Sequence, residues 1–143
     1  MKIALASDHG GFNLKEIIAG YLMATGYEIV DLGTDSEASV DYPEFGHKCG
    51  ETVVSGEADF GIVCCGTGIG ISIAANKVKG VRCGLCTNVE MAKLTRQHND
   101  ANMLALGGRM LSPEDAVAIV DAFLETEFEG GRHQRRVDLL NSY

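Results

Sequence analysis

Five short β-prone runs, each followed by a helical pattern, set the strongest limit on what this chain can become. They are KIALAS (2–7), EIVDLG (28–33), FGIVCC (60–65), VRCGLC (81–86) and NMLALGG (102–108). Between and after them come FNLKEIIAGYLMATG, YPEFGHKCGETVVSG, GISIAANKV, NVEMAKLTRQ and SPEDAVAIVDAFLETEF. A strict β-α order joins parallel strands through helical crossovers, and such a sheet needs helices on both faces. The strand runs carry apolar residues on both faces, as a sheet covered on both sides demands. In the first helical pattern Leu14, Ile17, Ile18, Tyr21 and Leu22 recur at spacings of three and four and form a stripe for the sheet. In the fifth, Ser112 and Pro113 give a cap and a first-turn residue. The expectation is one doubly wound, Rossmann-like α/β domain over 1–143, a five-stranded parallel sheet with helices on both faces. Residues 128–143 form a C-terminal basic helix or arm.

Charge narrows the function. The 143 residues carry a net charge of −8, and a phosphate backbone selects basic faces, so no nucleic-acid partner is expected. No run of about 18 apolar residues is present, so no membrane span is expected either. The N-terminus lacks a signal segment, which points to the cytoplasm. Five cysteines, scattered through strand-like segments, suit reduced thiols better than a disulfide framework.

Ligands of doubly wound sheets bind beyond the carboxyl ends of the strands. That rule gathers Asp8, His9 and Gly10; 33–41; 65–70; Thr87 and Asn88; and 107–109. The most informative of these is CGTGIG (65–70). It lacks a full dinucleotide fingerprint, and RCGLCTN stands where NAD binding would need an acid, so no nicotinamide cofactor is expected. Its alternating glycines still let backbone N–H groups turn inward at a helix N-terminus, a cradle for a phosphate or a developing oxyanion. Cys65 at its mouth lies in the same field, which favours a thiolate acting as base or nucleophile. Cys64, one residue earlier, faces the other side of the strand and fills the core.

Cys83 and Cys86 form a C-x-x-C pair without a second pair to complete a structural zinc site, and a thiol oxidoreductase reading stays open. Cys49 belongs to a helix core. His98, in RQHND, has polar neighbours able to fix its tautomer for acid–base work. His9 ends a strand beside a carboxylate; His47 gives no signal. Arg132, His133, Arg135 and Arg136 concentrate positive charge in an acidic chain. They either pair with Glu125, Glu127 and Glu129 or await an anionic ligand.

Taken together, SDHGGF (7–12), DYP (41–43), CGTGIGISIAANK (65–77), RQHNDAN (96–102), LGGR (106–109) and EGGRHQRRV (129–137) closely resemble the type B ribose-5-phosphate isomerases. The wider family includes galactose-6-phosphate isomerase, and the likeness spans nearly the whole chain. The resemblance implies a reversible aldose–ketose isomerisation of a small sugar phosphate without metal or organic cofactor. It also implies a homodimer, in some members paired into tetramers, whose active sites are shared between chains. On that pattern Cys65 is the base that moves a proton between C2 and C1, and His98 opens the furanose ring. Asp8, His9, Tyr42 and Asn99 contact the sugar, and Arg109, Arg132 and Arg136 hold the phosphate. The amides of Gly66, Gly68, Ile69 and Gly70 would form the oxyanion hole, with Thr67 hydrogen-bonded to the sulfur. Galactose 6-phosphate and allose 6-phosphate remain alternative substrates, and a sugar-phosphate-binding regulatory module is the alternative outside enzymes.

Overall fold

The structure, a computed structural model, describes residues 1–143. Its elements are β1 (Lys2–Ser7), α1 (Phe12–Ala24), β2 (Glu28–Asp31), α2 (Tyr42–Val54), β3 (Phe60–Cys65) and α3 (Ile69–Asn76). They continue with β4 (Cys83–Leu85), α4 (Val89–Asn99), β5 (Met103–Gly107), α5 (Pro113–Glu125) and α6 (Arg132–Asn141). The five strands are all parallel, in the order β2-β1-β3-β5-β4. Right-handed crossovers then determine which face each helix takes.

One face buries Ile3, Leu5, Ile62, Leu104 and Leu106 against Leu14, Ile18 and Leu22 of α1 and Ile119, Val120 and Phe123 of α5; Ala92 of α4 joins them. The other buries Ala4, Ala6, Val63 and Ala105 beneath Cys49 and Val53 of α2 and Ile71 and Ala75 of α3. Each fully buried Leu or Ile contributes about 1.5–3 kcal/mol. The strands that carry the loops are therefore held firmly from both sides.

The strand order also creates a crevice. After β1 and β5 the chain turns toward the α1/α5 face, whereas after β3 it turns toward the α2/α3 face. The carboxyl end of β3 thus lies between two neighbours whose loops leave in the opposite direction, the switch point where doubly wound sheets take ligands.

Two sequence expectations change. The α1 stripe is rotated: Ile17 is 42% exposed, and Lys15 is buried in its place. Burial of that lysine is possible because its Nζ donates to both oxygens of Asp31, at 2.9 and 2.8 Å, and to Glu16 Oε1 at 2.8 Å. The fourth strand is also shorter than the run 81–86, because it is an edge. Asn76 occupies part of that edge, accepting from Cys83 N–H at 2.8 Å and donating to its carbonyl at 3.0 Å, which limits open pairing. No helix is long and apolar enough to cross a membrane.

Candidate active site

Cys64 and Cys65 pack on opposite faces of the sheet, as alternation along a strand requires. Burial pushes the Cys64 thiol up, out of reach of chemistry near neutral pH. Cys65 stands at the mouth of the loop, and its Sγ accepts the Gly68 N–H at 3.1 Å. Gly68 has φ +82, and a Cβ there would come within 2.7 Å of Leu85 Cδ1 and 2.8 Å of the Leu106 carbonyl carbon. Glycine is required both for the left-handed turn and for the space.

The loop amides divide into two sets. Those of Gly68 and Ile69 are engaged, by Cys65 Sγ and by Thr67 Oγ1 at 3.2 Å. Those of Gly66 and Gly70 find no acceptor within the chain. The donor to the sulfur is therefore an amide and not the Thr67 hydroxyl, whose oxygen instead accepts the N–H of Ile69, the first residue of α3. This narrows the expected oxyanion hole: the short turn folds Gly68 and Ile69 inward on the loop itself and leaves Gly66 and Gly70 able to receive an external anion.

Neighbouring elements close around these amides. Gly108 N–H donates to the Cys65 carbonyl at 2.8 Å and Arg109 N–H to that of Gly66 at 3.0 Å, tying the loop after β5 to the glycine loop. As a result the Arg109 guanidinium crosses Gly66 and Gly10. A Cβ at Gly66 would lie 3.1 Å from its Nη1, and one at Gly10 would lie 3.4 Å from its Cζ. The Tyr42 ring, at the first residue of α2, lies on Gly70, where a Cβ would come 2.6 Å from Cζ. Asp8 is 7% exposed and accepts the Gly11 N–H through Oδ1 at 3.1 Å, which leaves Oδ2 for a hydroxyl. His9 accepts the Val40 N–H at Nδ1, at 3.2 Å. In its neutral form the ring proton is then on Nε2.

His98, Asn99, Arg132 and Arg136 are elsewhere. Helix α4 runs back against the strand direction, so its last turn lies at the amino end of the sheet. Cys65 pairs with Gly107, the last residue of β5, and His98 precedes Met103, its first. At roughly 3.3 Å per residue, β5 alone separates them by about 13 Å. One chain therefore cannot bring His98 to Cys65. With His133, these residues line a groove of about 430 Å³ that has no apolar side chain in its wall. The alternative pairing of the arginines with Glu125, Glu127 and Glu129 does not form. No carboxylate lies within salt-bridge distance of Arg132 or Arg136, and Glu129 approaches His98 and His133 instead. A larger groove of about 750 Å³ follows the β4 edge and reaches Asn99, but not Cys65 or Arg109.

The C-x-x-C pair offers no redox centre. An odd spacing along a strand puts Cys83 and Cys86 on opposite faces. Burial raises both thiols, Cys86 to about 11. Cys49 is buried too and pushed up to about 12.

Comparison with known proteins places this arrangement. A family profile described as Ribose/Galactose Isomerase matches residues 3–140. The chain is 48% identical over 141 residues to ribose-5-phosphate isomerase B of Escherichia coli K12, covering 99% of this chain and 95% of that one. Its fold is similar to that of Clostridium thermocellum ribose-5-phosphate isomerase B, with a TM-score of 0.98 and 57% identity over 99% of this chain and 96% of that one. The Mycoplasma genitalium enzyme, solved with bound ribulose-5-phosphate, gives a TM-score of 0.94 and 44% identity over 99% and 95% of the two chains. A thiol on a glycine-rich turn, at the switch point of a parallel sheet, and a full-length match to these enzymes lead to one conclusion: the chain belongs to the ribose/galactose isomerase family.

Proposed function

We propose that this protein interconverts ribose 5-phosphate and ribulose 5-phosphate, with Cys65 as the base. The observation that carries the reading is the Cys65 sulfur, held by the Gly68 N–H beside the open amides of Gly66 and Gly70. Its family relatives include enzymes named for this reaction, one of them solved with ribulose-5-phosphate.

In the open-chain aldose, the Cys65 thiolate takes the proton from C2. The C–H electron pair becomes the C1–C2 double bond, and O1 gathers the negative charge of an enediolate. The amides of Gly66 and Gly70 receive that oxygen as charge develops, which is where preorganised donors act most strongly. The O2 proton then passes to O1, directly or through solvent, as O2 forms the C2 carbonyl and the C1–C2 electron pair takes the proton back from the thiol at C1, which gives the ketose. Thr67 keeps its hydroxyl proton available for a substrate oxygen. Asp8, His9 and Tyr42 border the same space and suit the sugar hydroxyls.

Ring opening needs a proton delivered to the ring oxygen and one removed from O1. His98 suits that work, but it lies at the other end of the sheet. We therefore infer a homodimer in which His98, Asn99, Arg132 and Arg136 of one copy complete the Cys65 half-site of its partner. The arginines, free of carboxylates, supply forked donors for the phosphate together with Arg109. Every step uses side chains and amides alone, and a cytoplasmic location suits a reduced thiol base.

A coupled assay with ribose 5-phosphate, galactose 6-phosphate and allose 6-phosphate tests the reading. Preferred turnover of the five-carbon aldose is expected. Preference for either six-carbon sugar, or binding without turnover, would overturn it.

A further inference from the structure

Beside the proposed phosphate groove, three side chains converge: His98 at the end of α4, Glu129 in the segment before α6, and His133 in the first turn of α6. Glu129 Oε1 lies 3.9 Å from His98 Nε2 and 3.5 Å from His133 Nε2. Two histidines and a carboxylate suit a divalent metal ion, but the ring geometry points elsewhere. An imidazole offers its lone pair in the plane of the ring. These two rings are 4.4 Å apart and 15° from parallel, so their lone pairs run side by side instead of meeting at one ion. The arrangement is an offset stack, a geometry favoured between aromatic faces.

The two rings differ in freedom. The His98 side chain is 40% exposed, whereas that of His133 is 12% exposed. The segment that carries His133 is fastened to α4 where Glu129 N–H donates to the Gln97 carbonyl at 3.1 Å, and its own turn is closed by His133 N–H donating to the Gly130 carbonyl at 3.1 Å. The turn between them uses positive φ at Gly130 and Gly131. His133 is thus the fixed member and His98 the supported one.

We infer that His133 is a positioning residue for ring opening: its imidazole face is the platform that holds the His98 ring toward the groove. This rests on the function proposed above. A misplacement of about 1 Å in a reacting group costs up to about 10²-fold in rate, and an exposed histidine without a platform samples several rotamers.

The test compares His133→Ala and His133→Phe in the intact protein, each with ribose 5-phosphate and with erythrose 4-phosphate, whose phosphorylated O4 prevents a five-membered ring. His133→Ala is expected to lower kcat for ribose 5-phosphate by about 10-fold to 10²-fold and to leave the ratio of open-chain turnover to wild type near one. His133→Phe, which restores a flat face without ionisable nitrogens, should recover most of the loss. Equal losses on both substrates, a change in KM alone, or failure of phenylalanine to rescue would each overturn the platform. Imidazole NMR gives a readout independent of turnover. The His98 ring protons, shielded by the stacked face, should move downfield in His133→Ala and remain upfield in His133→Phe; unchanged shifts would contradict the stack. If the wild type does not isomerise ribose 5-phosphate, the proposed function fails while these shifts still report on the platform.

Discussion

The backbone N–H of Gly68 lies 3.1 Å from the Sγ of Cys65, three residues back along the same turn. The sulfur proposed to take a proton therefore accepts a hydrogen bond from the loop proposed to stabilise the enediolate charge. Gly68→Ala disturbs both, since its φ of +82 disfavours a side chain and its Cβ would strike Leu85 and Leu106. The expected result is a fall in kcat of about 10²–10³-fold, the range for losing a preorganised donor. Unchanged kcat for ribose 5-phosphate would show that the amide plays no part.

His98 and Cys65 sit at opposite ends of one sheet, and this predicts complementation between inactive chains. Cys65→Ala and His98→Asn each spoil a different half-site. Random assortment after joint refolding makes half the dimers hybrids with one intact site of two, so about a quarter of wild-type activity should return. No recovery would mean that each site is contained in a single chain.

Within the proposed shared site, His98→Asn should slow ribose 5-phosphate by about 10²–10⁴-fold, the worth of a positioned acid or base, while sparing erythrose 4-phosphate. Equal losses would remove His98 from ring opening. Arg132→Ala and Arg136→Ala should chiefly raise KM, as steady-state curves would show, because neither guanidinium is paired to a carboxylate, Arg136 donating only to the Arg132 carbonyl at 3.3 Å, and both are proposed to hold the phosphate. An unchanged KM would place the phosphate elsewhere.

Most of the architecture was legible in the sequence because hydrophobic periodicity and connection lengths determine how β-α units wind. The opposite facing of Cys64 and Cys65 followed from strand alternation alone. The burial of Lys15 was not legible. It depends on Asp31, which lies on a different element, and a periodicity argument treats any lysine as solvated. The Thr67 hydroxyl was expected at the sulfur, but a turn this tight brings the Gly68 amide there first. The separation of His98 from Cys65 within one chain was not legible from spacing: no local pattern reveals that α4 carries His98 to the amino end of the sheet.

Lys15 also sets an alkaline limit on stability. Burial by itself would lower its pKa, but the hydrogen bonds and charges of Asp31 and Glu16 outweigh it and hold the group above its ordinary 10.5. A raised folded-state pKa means that the stabilisation is complete below about pH 10.5 and is lost as pH rises through the folded value. Tyr21 acts in the same sense: its hydroxyl, donated to Asp121, is held above its ordinary 10.0. Thermal melts should show Tm falling above about pH 10. Lys15→Met should lose about 1.5–3 kcal/mol at neutral pH, the value of hydrogen bonds to a charged group, and show a shallower alkaline fall. An equally steep fall in the variant would assign it to other groups.

The central claim is that one of two adjacent thiols performs the proton transfer. Turnover of ribose 5-phosphate by Cys65→Ala and Cys64→Ala, measured side by side with folding checked by thermal melts, tests it most directly. The account predicts no measurable turnover for Cys65→Ala and most of the wild-type rate for Cys64→Ala. Comparable activity in both variants would contradict it.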